Sequence, residues 1–251
     1  MTETLFAIGL GAAIVGRTRF CDHPPQAARI EAVGGFSDPN LERVVALTPT
    51  LVCGERGPAG PSLVASLERH GLATYFPPLA TIDDVASMIA SLGTRLGAPD
   101  AASRVAGGLR SRLDAVRARA AKRPAVRAAF VLDWAPLVVV GAGTFPSELL
   151  AVAHVDNVAA ALEGYPRLSA EGLAALAPEV LLDGTAGAYA EPALELAKRL
   201  PGAAAIAAIA RGRVHRLASP AALRPGPRLD EGALEIARLA HGPSFEGESA
   251  P

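Results

Sequence analysis

The longest stretch with helical hydrophobic periodicity lies near the middle of the chain, between Asp100 and Lys122. Apolar residues recur there every three or four positions, at Val105, Leu109, Leu113, Val116 and Ala120. This spacing places them on one face and predicts a single long amphipathic helix. Pro99 and Pro124 lie at either side of the segment and are expected to confine the helix.

A shorter pattern occurs twice, in residues 40–53 and in residues 169–182. Each copy has a polar residue, a short apolar stripe, a proline and a continuous apolar run. Asn40 and Ser169 are expected to cap two helices, because a short side-chain oxygen accepts amide protons of the first helical turn. The proline then ends each helix, and the apolar run predicts a buried strand. Two copies of one helix–strand element predict two similar lobes.

Residues 2–8 and 147–153 form a weaker repeat, and each copy predicts a helix with an acidic first turn capped by its first residue. In the second half this helix follows two predicted strands, 129–133 and 137–140. In the first half only Met1 precedes it. Our hypothesis is that Met1 is an internal or mis-assigned start, and that a strand and a signal sequence lie upstream.

Strands and helices alternate along both halves, which favours an α/β fold with parallel sheets flanked by helices. We expect an N-terminal lobe over 1–98, a connecting helix over 99–123 and a C-terminal lobe over 124–241, with the first strand of lobe one missing. The polar tail 242–251 is expected to be disordered. A cleft where two lobes meet is a usual place for a ligand.

The composition narrows the possible classes of function. Half of the residues are hydrophobic and a fifth are charged, which is typical of a globular protein. A net charge of −1 without a basic stripe disfavours a nucleic-acid partner. No apolar run is long enough to span a bilayer, and the chain shows no signal peptide pattern. The common phosphate-binding, zinc-protease and serine-hydrolase motifs are missing, so we expect neither catalysis nor a catalytic cofactor.

Aromatic residues make up only 4% of the chain, so their positions are informative. Phe6 and Phe130 lie on predicted apolar faces and are expected in the core. Five others lie in loops or near strand ends and helix starts: Phe20, Phe36, Phe76, Trp134 and Phe145. Flat apolar rings at the carboxyl ends of parallel strands would suit a large planar or macrocyclic ligand. The alternative is that any of them is an ordinary core residue.

The segment 19–25 reads Arg-Phe-Cys-Asp-His-Pro-Pro and contains three potential metal ligands, Cys21, Asp22 and His23. Successive side chains of an extended loop point to different sides, so at most two of them share one ion. A rigid surface loop braced by prolines is the favoured interpretation, and no metal site made by protein alone is expected.

Several short motifs along the chain resemble motifs of one known protein family. They are TETLFAIGLG at 2–11, FCDHPP at 20–25, GGFSDPNLE at 34–42, Asp133-Trp134, GTF at 143–145 and RPGPR at 224–228. In sequence and order they closely resemble the vitamin B12-binding proteins of ABC importers. Those proteins are helical-backbone substrate-binding proteins, a group that also carries ferric siderophores and haem. The resemblance covers nearly the whole chain and implies a two-lobed α/β binding protein with a connecting helix.

The resemblance further implies cobalamin, or another corrinoid, as a transported ligand held by aromatic residues of both lobes. By motif position these are Phe20, Phe36, Phe76 and Trp134. Asp22, Arg228 and loop amides would bind polar edges of the ligand, and His23 would reach the cobalt or a polar edge. Arg228 is equally consistent with a salt bridge on a turn. One aromatic position of lobe two corresponds to Ala221, which weakens the choice of cobalamin over other chelates.

The resemblance also implies a monomer in the periplasm, or anchored outside the cytoplasm, with an ABC-transporter permease as partner. The family is thought to dock through one exposed Glu per lobe, but the matching positions are Pro61 and Leu223. Either the contacts have moved, to Glu55 or Glu231, or the chain does not serve a standard importer. A ferric-siderophore or haem carrier is the second interpretation. A cytoplasmic corrinoid- or metal-handling enzyme is the third.

Overall fold

The computed structural model describes residues 1–56, 60–185 and 188–245. The chain forms two compact units, Met1–Leu79 with Asp83–Gly108 and Ala80–Ile82 with Leu109–Pro251. Both units contain strands and helices, so the predicted two-lobed α/β organisation is confirmed. The boundary between the units falls inside the long helix, after Gly108, whereas the sequence-based division treats residues 99–123 as a separate segment.

The first unit contains a small parallel sheet. Its helices and strands are α1 (Thr2–Ala7), α2 (Leu41–Ala46), β1 (Val52–Cys53), α3 (Gly60–Arg69), β2 (Thr74–Tyr75) and α4 (Ile82–Arg95). Val52 lies opposite Thr74, and Cys53 lies opposite Tyr75. Helix α4 contributes more buried apolar side chains to this unit than any other element, among them Val85, Met88, Ile89 and Leu92.

Helix α5 (Pro99–Ala120) confirms the long helix predicted from the hydrophobic periodicity. Leu109, Leu113, Val116 and Ala120 are buried on one face, and Val105 is half-buried. In the described ranges of the chain, no helix combines the length and the hydropathy needed to cross a bilayer.

The second unit contains a five-stranded sheet. Its elements after α5 are β3 (Val126–Trp134), β4 (Leu137–Val139), α6 (Phe145–Val152), β5 (Val155–Asn157), α7 (Ala170–Ala175), β6 (Val180–Asp183), α8 (Ala193–Lys198), α9 (Ala207–Ala210), β7 (Val214–Arg216) and α10 (Leu229–His241). The strand order is β4-β3-β6-β7, and β5 also pairs with β3. All pairs are parallel except β3–β4. The parallel prediction therefore fails at β4, because a two-residue connection allows only an antiparallel return.

The longer repeat has the same capping geometry in both copies. The Asn40 side chain accepts a hydrogen bond from the Arg43 amide at 2.9 Å, and Ser169 accepts one from the Gly172 amide at 3.1 Å. Each helix is followed by a non-glycine residue with positive φ, Thr48 at 45° and Ala177 at 49°. Both residues directly precede a proline. The predicted caps are confirmed, and the two copies share an unusual backbone turn.

The shorter repeat forms helices as predicted, but not with the predicted caps. Helix α1 already begins at Thr2, with Met1 at the N-cap position and no side-chain cap. Helix α6 begins at Phe145, and its cap is Thr144, which accepts a hydrogen bond from the Ser147 amide at 3.3 Å. The error at the second helix arises because Thr144 lies three residues earlier than the predicted cap, and a proline at the second helical position favours that earlier start.

The disorder predicted from Gly242 onward is wrong for residues 242–245, which form a 3-10 helix. Phe245 is buried and stacks on the His241 ring, with a centroid distance of 5.9 Å. The Arg119 guanidinium lies 4.2 Å from the centre of the Phe245 ring and donates to the Phe245 carbonyl. The contacts of Phe245 with His241 and Arg119 therefore hold residues 242–245 against the rest of the unit. The rest of the predicted tail, 246–251, lies outside the described residues.

Candidate ligand-binding site

Two neighbouring backbone segments of the first unit carry the aromatic residues Phe20 and Phe36. The Arg17 amide donates to the Glu31 carbonyl at 2.9 Å, and the Arg19 amide donates to the Gly34 carbonyl at 2.8 Å. The segment before Phe20 is thus hydrogen-bonded to the segment before Phe36. The sequence predicts both rings as site residues but gives no sign of this pairing.

Both rings are exposed, Phe20 by 55% and Phe36 by 43%. The Arg19 guanidinium lies 5.3 Å from the centre of the Phe20 ring and forms an ion pair with Asp38 at 2.6 Å. The hydrogen bond from Arg19 lowers the pKa of Asp38. A side chain at Gly35 would bring its Cβ within 2.6 Å of the Arg19 guanidinium, so glycine fits this close approach. The two exposed rings on these hydrogen-bonded segments are candidates for contact with an apolar ligand face.

The Cys21-Asp22-His23 segment follows Phe20 directly. The Cys21 sulfur lies 3.2 Å from the Thr18 hydroxyl, so this side chain is engaged locally. Asp22 is exposed and His23 is half-buried. Among the residues that the structure describes, no group of three or more His, Cys, Asp or Glu side chains is placed to hold a metal ion.

Phe76 follows β2 and is half-buried at the wall of a cavity of about 530 Å³. Its carbonyl accepts a hydrogen bond from Arg56 at 2.9 Å, and a Cβ at Gly54 would approach its ring to 2.8 Å. Pro61, one of the positions that match a docking Glu, lines the same cavity. Glu55 is exposed.

Trp134 and Phe145 lie in the core of the second unit. Trp134 is only 5% exposed and packs within the apolar cluster that contains Leu137 and Leu173. Phe145 is 3% exposed at the start of α6. Neither ring presents a face to solvent, so the ordinary core interpretation describes both of them. Trp134 is the last residue of β3 and Phe145 is the first residue of α6. Their contact with a ligand stays a prediction.

Arg228 lies at the N-cap position of α10, and its side chain is 16% exposed. It forms an ion pair with Glu231 at 3.2 Å, as the salt-bridge alternative predicts. Ala221 is buried in a 3-10 helix that also contains Leu223. Glu231, one of the candidate docking residues, is therefore engaged by Arg228.

A polar cluster that the sequence analysis missed lies at the carboxyl ends of β3, β6 and β7. Asp183 is fully buried and accepts hydrogen bonds from Arg216 Nε at 2.7 Å and from the Thr185 amide at 2.9 Å. Arg216 also donates from Nη1 to the Tyr189 carbonyl at 2.9 Å. The Tyr189 hydroxyl donates to Asp133 at 2.5 Å. One network thus joins the ends of three strands.

The Asp133–Tyr189 hydrogen bond shifts the acidity of both partners in opposite directions. Donation from the Tyr189 hydroxyl lowers the pKa of the Asp133 carboxyl, because it favours the ionised form. The same contact raises the pKa of Tyr189, because a carboxylate neighbour disfavours the phenolate. The pair is therefore a neutral phenol bonded to a carboxylate.

A sequence signal for this cluster does exist. The pair Leu-Asp occurs near the end of two strands of the same sheet: Leu182-Asp183 ends β6, and Leu132-Asp133 directly precedes Trp134, the last residue of β3. Ligand-binding groups collect at the carboxyl ends of parallel strands, so a polar residue at each end indicates a site. The sequence does not indicate that Arg216 belongs to this cluster. Its membership is seen only in the folded sheet, where Arg216 on β7 lies opposite Asp183 on β6.

Comparisons with known proteins agree with this architecture. A family model described as periplasmic binding protein matches residues 1–221. The vitamin B12-binding protein of Vibrio cholerae serotype O1 is 30% identical over 183 residues, which is 72% of this chain and 66% of that protein. The chain thus aligns with slightly less than two thirds of the length of this curated relative.

Two solved structures resemble the whole chain. The periplasmic vitamin B12-binding protein of Vibrio cholerae has a TM-score of 0.79 and 25% identity, covering 98% of this chain and 94% of that one. A periplasmic heme-binding protein from Pseudomonas aeruginosa has a TM-score of 0.83 and 28% identity, covering 98% and 90%. The two ligands named for these relatives are both large metal-centred macrocycles.

Proposed function

Since this chain belongs to the periplasmic binding protein family, we propose that it binds cobalamin or another corrinoid outside the cytoplasm. It then delivers the ligand to the permease of an ABC importer, as a monomer and without catalysis. Cobalamin is the cargo in this proposal and not a cofactor.

The observation that carries the ligand class is the pair of exposed rings, Phe20 and Phe36, on two hydrogen-bonded segments. Burying an aromatic face against a planar ligand removes apolar area from water at about 25 cal/mol per Å². Because the segments are already ordered, binding pays little additional conformational entropy. Phe76 remains a proposed aromatic contact, Asp22 and Arg228 remain proposed contacts at the polar edges of the ligand, and His23 remains a proposed contact to the cobalt or to a polar edge. The names of the vitamin B12-binding relatives support the corrinoid assignment.

Haem is the second candidate ligand, and other metal chelates of similar size rank after haem. It is favoured by the solved heme-binding protein, whose TM-score of 0.83 exceeds the 0.79 of the B12-binding structure. Exposed phenylalanine rings suit a porphyrin face as well as a corrin. Only direct binding separates the two ligands.

The test is a calorimetric titration of the purified chain with cyanocobalamin, haem and a ferric siderophore. We expect cyanocobalamin to bind most tightly. Replacing Phe20 or Phe36 with Ala should then weaken its binding about tenfold, which corresponds to about 1.4 kcal/mol and lies within the range of one aromatic contact.

A matched control is Val15→Ala, which shortens another exposed apolar side chain of the same unit, 48% exposed. This variant should bind like the wild type. Tighter binding of haem would replace the first candidate with the second. A wild-type chain that binds none of the three ligands, or turns over a corrinoid precursor, would contradict the proposal.

A further inference from the structure

We propose that Tyr189 is the aromatic ligand contact of the second unit, and that Asp133 and Arg216 are positioning residues that hold its ring. The inference rests on the proposed function and names a residue of the binding surface that the family motifs do not include.

Tyr189 lies across the carboxyl ends of the parallel strands of the sheet. Its hydroxyl reaches Asp133 on β3, and its carbonyl accepts from Arg216 on β7. β6 lies between these two strands, and its last residue, Asp183, fixes Arg216 through the buried ion pair. The carboxyl ends of parallel strands are where ligands of α/β proteins bind. The tyrosine is thus placed at the edge of the sheet where a ligand contact is expected.

The two contacts fix both ends of this residue. A tyrosine whose hydroxyl and backbone carbonyl are both bonded has little freedom left at its ring. One side of the ring packs against the core cluster, while the residue as a whole remains half-buried. An aromatic ring held in advance loses little entropy on binding and gives a rigid apolar surface.

The other aromatic residues of this unit are less suited to the role. Phe130, Trp134, Phe145 and Phe245 are all at most 5% exposed. Tyr165 is 51% exposed, but it lies on the segment that pairs with β4, where the Val139 amide donates to the Pro166 carbonyl. β4 is the edge strand and runs antiparallel to β3. Tyr165 is therefore away from the carboxyl ends of β6 and β7.

The chemistry of the contact follows from the hydrogen bond to Asp133. Because the hydroxyl proton is donated to a carboxylate, the phenol is held in its neutral form. Tyr189 therefore offers a ring face and not a phenolate ligand. It suits the planar face of a macrocycle whose metal is coordinated by other groups. The ligand class is thus a large planar chelate recognised by stacking.

The experiment compares four variants with the wild-type chain, using cyanocobalamin as the probe and calorimetry to measure Kd. Tyr189→Ala should weaken binding about tenfold, whereas Tyr189→Phe keeps the ring and should stay within about threefold. Tyr165→Ala is the matched control and should leave Kd unchanged. Asp133→Asn should weaken binding less than Tyr189→Ala, because it loosens the ring without removing it. Thermal unfolding of each variant confirms that it is folded.

A double variant separates positioning from a direct effect of Asp133. If Asp133 acts only through the Tyr189 hydroxyl, adding Asp133→Asn to Tyr189→Phe should not change Kd further. A further loss in the double variant would overturn the positioning role. Wild-type Kd in a folded Tyr189→Ala variant would overturn the inference while leaving the proposed function intact. A wild-type chain that does not bind cyanocobalamin, haem or a ferric siderophore would contradict both.

Discussion

Each unit contains an arginine–aspartate pair of nearly equal length in very different surroundings. In the first unit, Arg19 and Asp38 are 2.6 Å apart, with side chains 50% and 59% exposed. In the second, Arg216 and Asp183 are 2.7 Å apart, with side chains 23% and 0% exposed. Water screens the first pair, so it contributes little to stability, whereas the second cannot be separated without leaving a buried charge.

This difference indicates two ways of building a binding surface. The first unit presents two exposed phenylalanine rings on two hydrogen-bonded segments, and a solvated ion pair lies beside the Phe20 ring. The second unit fixes a single tyrosine through a network anchored on a buried carboxylate. Substitution of the solvated ion pair of the first unit should therefore leave the stability of the fold nearly unchanged, whereas substitution of the buried carboxylate that supports the second network should not.

The largest expected effect is on stability. Asp183→Ala leaves Arg216 without its charge partner and should lower the free energy of unfolding by about 3–5 kcal/mol. The measurement is urea unfolding followed by circular dichroism, with Asp38→Ala as the matched control in the first unit. That control should unfold like the wild type, because its partner is solvated. Equal losses in the two variants would remove the distinction between the pairs.

A second, smaller effect on stability tests whether the N-caps of the repeated helix–strand element contribute equally in the two units. Asn40→Ala and Ser169→Ala each remove an N-cap hydrogen bond and should each cost about 1 kcal/mol of unfolding free energy. Urea unfolding of both variants, with Asn40→Asp and Ser169→Thr as capping-competent controls, checks this. A cost at one position and none at the other would show that the repeat is energetically unequal.

The smallest effect concerns pH and the Asp133–Tyr189 pair. At neutral pH, Tyr189→Phe should lose less than about 1 kcal/mol of unfolding free energy, since it removes one hydrogen bond. The pKa of Asp133 is lowered in the folded chain. Its contribution is therefore complete above the ordinary pKa of Asp and disappears as the pH falls through the lowered value.

The difference between wild type and Tyr189→Phe should accordingly shrink in acid, when urea unfolding is repeated from pH about 6 to about 2. Asp133→Asn in the wild-type background serves as the control, because it removes the titrating group. A difference that grows as the pH falls would mean that the hydrogen bond does not favour the carboxylate.

Several elements could be predicted because local sequence decides them. The spacing of Leu109, Leu113 and Val116 specifies a helix, and their burial confirms which face packs inward. The caps at Asn40 and Ser169 depend on side chains three residues or fewer from the amides they bind. Such interactions are encoded within one turn, so a single sequence is sufficient to identify them.

The burial of Trp134 depends on contacts between distant segments. The position of an aromatic residue near a strand end does not tell whether its ring turns toward the core or toward solvent. The sequence predicts both Phe20 and Trp134 as site residues, yet one is 55% and the other 5% exposed. Their neighbours in space, and not their neighbours in the chain, make this difference.

By itself, the sequence determined the long helix, the caps at Asn40 and Ser169, the two-lobed α/β organisation and the family, because these depend on local patterns and on motif order. Only the tertiary structure decided which aromatic rings remain exposed and which residues support them. The Asp133–Tyr189 contact joins residues 56 positions apart, and Arg216 reaches Asp183 across 33 positions. Strand register places Arg216 opposite Asp183, and register is a property of the folded sheet. Tyr189 lies outside the strands and meets Asp133 only in the folded chain.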